Sequence, residues 1–347
     1  MSSGRPVESI HVMRGVAAMA VAVSHLPAFF PAGSGTLPGG DGLGVGKVGV
    51  DVFFVISGFV MTVATAPLAS GWRSSLGFLW RRIARVVPLY WMVTLFLVAL
   101  FLVDRRFGAE RTLDLDLVLR SLLFVPVHGP EGGIRPIVGV GWSLDYEMYF
   151  YLCMAAVIAW VPRHRLAVLA ITMVTVYLVA REWLDPRVDW VVNAGLALEF
   201  LLGVLAAVIH RRRLACLVGL AMGVAACVAA WPALTGLHPY GAGVDRTMSW
   251  GAVAFVLILA LTAAERRRPW RRMRWLGAMG DASYALYLTH SLAFAVVQRL
   301  AGPVDGPASL PLRMLLMLAV ATLVSLAVHR WVEKPIVTRL QRLAPGH

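Results

Sequence analysis

Ten apolar stretches recur along the 347-residue chain, at about 10–30, 45–67, 87–103, 137–161, 165–180, 191–210, 213–231, 247–264, 282–301 and 309–329. Runs of about 17–25 apolar residues cross the roughly 30 Å hydrocarbon layer of a bilayer as helices. Lipid offers no partner to a backbone N–H or C=O, so an open sheet cannot replace them. The pattern predicts an all-α fold, a polytopic membrane helical bundle of about ten transmembrane helices. It is read as one integral membrane domain over residues 1–347, with no additional soluble domain. Composition agrees with this, because only 15% of the residues are charged where about 25% is usual for a soluble protein. The mean hydropathy is +0.73. A weaker apolar segment at 117–127 contains Arg120 and ends near Pro126, and reads as an interfacial piece rather than a span. The first run is longer than the 7–15-residue core of a cleaved signal peptide and carries His25, so it reads as a retained first span.

The charge lies between the runs. Most of the 32 Lys and Arg residues fall in alternate loops, in groups that include Arg5 and Arg14; Arg73, Arg81, Arg82 and Arg85; Arg163 and Arg165; and Arg211 to Arg213. The groups continue with Arg266 to Arg268, Arg271, Arg272 and Arg274, then Arg330, Lys334, Arg339 and Arg342. Basic loops mark the cytoplasmic face. An even number of spans then leaves both termini in the cytoplasm. Short basic clusters of this kind make the net charge of +13 a sign of topology and argue against nucleic acid as a partner. Cys153, Cys216 and Cys227 sit in apolar runs and form no disulfide or metal spacing. The Gly-rich stretch 38–44 lacks the Gly-Lys-Ser/Thr ending of a phosphate loop and reads as a flexible connection. Gly219, Gly223, Ala225 and Ala226 suit close helix packing in the seventh run.

Ionisable side chains at membrane depth are costly and point to function. Arg14 and His25 are eleven residues apart in the first run. Eleven helical steps return to within about 20° of the same face after a rise of about 16–17 Å. Other runs carry Lys47, Asp51 and Ser57; Asp145 and Glu147; Glu199; and Ser283, Tyr284, Tyr287 and His290. These groups are expected to converge on an internal cavity away from lipid. A histidine beside a carboxylate suits general-base chemistry on a hydroxyl. The same groups suit a proton relay in a transporter, or serve only to bind helices together. Arg81, Arg82 and Arg85 gather at one helix mouth. Arginine forks hold phosphates in bidentate fashion, which fits a polyanionic cosubstrate, although a topology anchor or a lipid headgroup contact would use the same residues.

Several motifs occur in one order. They are Arg14 with His25; Gly49-Val50-Asp51-Val52-Phe53-Phe54-Val55-Ile56-Ser57-Gly58-Phe59; Arg82, Arg85, Pro88 and Tyr90; and Trp142-Ser143-Leu144-Asp145-Tyr146-Glu147-Met148-Tyr149-Phe150-Tyr151. Weaker ones are Phe200 with Gly203, the stretch from Ser283 through Tyr287 to His290, and Glu333-Lys334-Pro335. Together they resemble the membrane-bound acyltransferase-3 family, over nearly the whole chain. Asp145 departs from the family pattern, where a small or apolar residue is usual, and leaves open which carboxylate works. The resemblance implies transfer of an acyl group, usually acetyl from acetyl-CoA, to a hydroxyl of a glycan or glycolipid. The setting it implies is the bacterial inner membrane. Acyl-CoA is then the cosubstrate, membrane lipid and the acceptor are the partners, and no metal is needed. On this expectation His25 is the base, or carries the acyl group, with Glu147 or Asp51 orienting it and Arg14 nearby. Arg14, Arg81, Arg82, Arg85 and Tyr90 serve the donor. Trp142, Ser143, Asp145, Tyr287 and His290 serve the acceptor. The rival readings are a secondary transporter and a subunit of a polysaccharide or lipid export complex.

Overall fold

A computed structural model describes residues 7–30, 46–104, 113–127, 136–183, 195–212, 246–268, 270, 274–302 and 309–344. The seventh apolar run, with Cys216 and Cys227, and the 38–44 connection lie outside the described residues. The helices are α1 (Glu8–His25), α2 (Val48–Thr65), α3 (Trp72–Val103), α4 (Leu115–Leu122), α5 (Trp142–Trp160) and α6 (Arg165–Trp183), followed by α7 (Glu199–Arg212), α8 (Ala252–Arg267), α9 (Arg274–Asp281), α10 (Ser283–Ala301), α11 (Ser309–Val328) and α12 (Lys334–Arg342). No strand occurs among the described residues. The protein is an all-α membrane helical bundle. Six of its described helical stretches are long and apolar enough to cross a bilayer: Glu8–Phe29, Val48–Thr65, Trp72–Val103, Arg165–Trp183, Ser249–Arg267 and Ser309–Arg342. The helices α5 and α10 reach the same length, 19 residues each, but carry the polar groups treated below.

Two helices run further than hydropathy suggests. The third apolar run begins at about 87, yet α3 is helical from Trp72 and takes in Arg81, Arg82 and Arg85. Arginine is a good helix former, so the charges interrupt the apolar run without interrupting the helix. Pro88 lies inside α3 and withdraws only one N–H, the donor that Ala84 would otherwise receive. At the other end of the chain, α11 passes through a wide π turn at His329–Glu333 directly into α12. There His329 Nδ1 donates to Glu333 Oε2 at 2.8 Å, which gives the buried Glu333 a partner one turn away.

The chain divides into two compact units. The first joins residues 1–53 to 260–335. In it α1 packs on α9 and α10, and α10 packs on α11. Ala18, Ala22, Leu26, Leu286, Phe294, Met317 and Ala321 form its core. The small residues let helix backbones approach where lipid supplies no hydrophobic drive. A side chain at Gly15 would press on the backbone of Met279 and Gly280, and one at Gly280 would strike His11. The start of α1 is capped by Glu265, which accepts from the Glu8 and Ser9 amides at 2.9 Å each. A carboxylate there satisfies orphan donors and meets the positive end of the helix dipole. His11 Nε2 sits 3.0 Å from the Gly277 carbonyl and 3.1 Å from Asp281 Oδ1.

The second unit joins residues 54–259 to 336–347. In it α3 packs on α5 and α4, and α5 packs on α6. Here α2 and α7 cross backbone to backbone at Gly58 and Gly203, where a side chain on either would run into the other helix. Arg165 fixes the loops: its guanidinium donates to the Leu68 carbonyl at 2.8 Å, to Ser70 Oγ at 2.7 Å and to the Val161 carbonyl at 3.2 Å. This places the α2–α3 and α5–α6 connections at one end of the unit, as the alternation of basic loops requires. The Trp80 indole donates to the Leu340 carbonyl at 2.7 Å and brings the last turn of α12 to the same helix that carries Arg81 and Arg82. The 117–127 segment holds the end of a short helix: α4 is capped by Asp114 through the Leu117 amide at 2.7 Å, and leaves Leu115, Leu119 and Leu123 exposed along one face. Four buried threonine hydroxyls are satisfied within their own helices, as Thr62, Thr65 and Thr94 in this unit and Thr289 in the first each donate to the carbonyl four residues back.

Candidate active site

In the second unit three helices meet around Glu147. Tyr151 lies one turn after it on α5, and residues four apart share a helix face. The Tyr151 hydroxyl donates to Glu147 Oε1. Ser57 Oγ of α2 donates to the same oxygen at 3.3 Å. The Arg82 guanidinium of α3 lies within electrostatic reach of Tyr151 and Glu147, and also of Arg81 and Arg85. It stands 5.8 Å over the Phe78 ring. Its Nε is buried and has no hydrogen-bond partner. Three arginines therefore gather near one carboxylate, and the half-buried Arg82 keeps a buried Nε donor unspent. An anion is the chemical species that such a surplus accepts.

The rest of the α5 motif lines up one turn earlier. The Trp142 ring meets Phe54 at 6.5 Å and Tyr146 at 5.9 Å, edge to face. Ser143 Oγ donates to the Val140 carbonyl at 3.3 Å. Asp145 is buried and lies in electrostatic reach of Tyr90 and Tyr146. Tyr90 is fully buried, enclosed by the Phe124 ring at 4.8 Å and by Gly141, where a side chain would strike it. The Tyr146 hydroxyl reaches the fields of Arg246 and Glu199 as well. Glu199 is itself fully buried, against Gly251.

The first unit holds the histidines. His25 closes α1, and its Nδ1 lies 2.8 Å from the Val21 carbonyl. His290 is fully buried in α10, with Nδ1 3.0 Å from the Leu286 carbonyl. A carbonyl can only accept, so each ring carries a proton on Nδ1. The ring centres are 5.1 Å apart. A backbone carbonyl thus orients the His25 ring through Nδ1. His290 packs edge-on against Phe294 at 5.7 Å, and Tyr287 against Phe53 at 5.7 Å. In the same unit Asp51 is fully buried, and Arg14 is partly buried and engaged in polar interactions. Among the described residues no group of three His, Cys, Asp or Glu side chains is placed to hold a metal.

Residues 7–330 match the model of an acyltransferase domain, acyltransferase-3. The chain belongs to that family. All the motifs carrying the earlier resemblance fall within the match except Glu333-Lys334-Pro335, which lies just past it. The exopolysaccharide production protein ExoZ of Rhizobium meliloti is 31% identical over 298 residues, covering 85% of this chain and 90% of that protein. The acyltransferase MdmB of Streptomyces mycarofaciens is 28% identical over 335 residues, covering 87% of this chain and 83% of its own. No solved structure matches. For a member of the acyltransferase-3 family, the geometry adds Tyr151, which the motif carried without a role, and Arg246, which sequence reasoning passed over. Tyr151 was legible as the residue one turn after Glu147. Arg246 had no comparable signal, since it stands outside the apolar periodicity.

Proposed function

We propose that this integral membrane acyltransferase moves an acyl group, acetyl in the simplest case, from acyl-CoA in the cytoplasm to a hydroxyl of a cell-surface polysaccharide or glycolipid. The observation that carries the donor assignment is the Arg82 cluster, a half-buried arginine with a buried, unspent Nε donor beside Arg81, Arg85 and a single anchored carboxylate. Arg82 and Arg85 take the coenzyme A phosphates, helped by Arg81. Glu147, held by Tyr151 and Ser57, aims Arg82 and partly neutralises it. On the acceptor side His25 is the general base. Its Nδ1–H is committed to Val21, so Nε2 is the atom that removes the hydroxyl proton. Arg14 and Asp51 serve this half of the chemistry, and the acceptor residues are Trp142, Ser143 and Asp145 of the second unit and Tyr287 and His290 of the first. The name of the ExoZ relative favours an exopolysaccharide as acceptor. The membrane is then the bacterial cytoplasmic membrane, with both termini inside.

The test is transfer of radiolabelled acetyl from acetyl-CoA to purified, deacetylated exopolysaccharide by the detergent-purified protein. Label should appear in the polysaccharide with the wild type and be lost with His25→Ala. Arg85→Ala should weaken acetyl-CoA binding about tenfold, in line with the loss of one charge-assisted contact. Unchanged affinity in that variant would remove the arginines from the donor site. Full transfer by His25→Ala would remove the base.

A further inference from the structure

Tyr90 is fully buried in α3, and its phenol oxygen has no hydrogen-bond partner. A buried donor left unpaired is costly and calls for a reason. Thr94 lies one turn on, near the phenol, but gives its own hydrogen to the Tyr90 carbonyl at 2.8 Å. The phenol abuts Gly141, where a Cβ would stand 3.0 Å from its oxygen. Gly141 has helical dihedrals and leads straight into α5, so Asp145, four residues on, shares its face. Asp145 is only 5% exposed. It lies within electrostatic reach of the phenol, yet the two are not hydrogen-bonded. This pair is set apart from the arginine cluster in the same unit. On α3, Tyr90 follows Arg85 by five residues, a rotation of about 140°, and on α5 Asp145 precedes Glu147 by two, a rotation of about 200°.

We infer that Tyr90 and Asp145 form a recognition pair for the acceptor, in which one sugar hydroxyl, other than the one acylated, accepts from the Tyr90 phenol and donates to the Asp145 carboxylate. This deepens the proposed function, rests on its choice of a glycan acceptor, and moves Tyr90 from the donor to the acceptor. The match is one of hydrogens and lone pairs. A phenol can donate, a carboxylate accepts through several lone pairs, and an alcohol does both at once. An ether or carbonyl oxygen would satisfy Tyr90 alone, and an ammonium group Asp145 alone. Ser143 gives its hydroxyl hydrogen to the Val140 carbonyl, so it does not compete as the donor. Trp142, three residues before Asp145 and only partly buried, adds an aromatic surface on the same side of α5. A few placed polar groups beside an aromatic wall make a small-molecule site, and the C–H face of a sugar ring packs on such a wall. A site built to hydrogen-bond a hydroxyl rejects analogues that lack it, so the pair sets which sugar is accepted.

The experiment measures binding without turnover. The full-length protein, purified in a detergent without a sugar headgroup, is titrated with oligosaccharides cut from deacetylated exopolysaccharide. It is titrated separately with acetyl-CoA, because the ribose of coenzyme A carries the same hydroxyl chemistry. Tyr90→Phe and Asp145→Asn should each weaken oligosaccharide binding about tenfold, as one lost hydrogen bond in a buried site does, with the acetyl-CoA Kd within about twofold of wild type. The double variant should lose less than the product of the two single losses, because both groups hold one hydroxyl. Without ligand, Tyr90→Phe should melt no lower than wild type, since the hydroxyl it removes is unpaired. The inference is overturned if the wild type binds no oligosaccharide, or if Tyr90→Phe binds it as well as wild type, the result expected were water the sole occupant between the two groups. It is overturned equally if the acetyl-CoA Kd is the one that rises, if the two losses multiply in full, or if Tyr90→Phe melts several degrees lower, which would mark a structural role. Oligosaccharide binding with the expected ranking but no acetyl transfer by the wild type would sink the proposed function and leave the recognition pair standing.

Discussion

At the scale of single residues, the proposed chemistry rests on side chains whose free valences are few. Glu147 Oε1 takes hydrogen bonds from Tyr151 and Ser57, so the orientation of this carboxylate toward Arg82 depends on two neutral donors. Tyr151→Phe removes one of them and leaves the ring packed against Phe78. A hydrogen bond to a charged group contributes about 1.5–3 kcal/mol, which predicts a kcat/KM lower by about 10–100-fold in the acetyl transfer assay. Wild-type turnover by Tyr151→Phe would mean that Glu147 needs no such anchor. The contrast between residues found from sequence and residues missed has a physical origin. His25, Arg82 and Glu147 announce themselves because a titratable group inside an apolar run has few innocent explanations. Tyr151 does not, because tyrosine is common wherever one end of a side chain is buried and the other polar. The role of Val21 was invisible for a different reason. A backbone carbonyl has no sequence identity, so no reading of side chains could show that it orients His25.

Among helices, glycine decides where backbones touch. Gly58 and Gly203 stand at the crossing of α2 and α7, each against the backbone of the other helix. Backbone yields less readily than a side-chain tip, and overpacking costs about 1–3 kcal/mol or more. Gly203→Val should therefore lower the melting temperature of the detergent-purified protein by several degrees, and Gly139→Ala, which meets open space, should leave it unchanged. Equal melting of both variants would mean that the helices do not cross at this point. Hydropathy located most described helices but mistook two of their ends. It reads side-chain polarity, whereas the helix reads backbone hydrogen bonds. Arg81, Arg82 and Arg85 are polar and helix-forming at once, so α3 begins at Trp72. The joining of α11 to α12 through His329 and Glu333 was hidden for the same reason.

At the scale of the molecule, topology follows from where the loops are tied. The all-α class and the membrane setting were legible because they depend on run length and charge, which are additive along the chain. The division into two units was not, since one of them is assembled from both ends of the chain, and pairing between distant helices leaves no mark on local composition. Within the second unit, Arg165 bridges residues 68–70 and 161–165, while α4 follows the far end of α3. If the basic loops face the cytoplasm, positions on the two sides must differ in their access to reagents. With the native cysteines replaced, Ser70→Cys and Arg163→Cys, both exposed, should react with a membrane-impermeant maleimide only in inside-out vesicles. Arg120→Cys, on the exposed face of α4 where Arg120 pairs with Asp116 at 2.8 Å, should react only in intact spheroplasts. Labelling of Ser70→Cys and Arg120→Cys from the same side would mean that α3 does not cross the bilayer, and the cytoplasmic donor site would fall with it. Labelling of the expected pairs on reversed sides would keep the fold and move the Arg82 cluster to the outer face, where no coenzyme A is supplied.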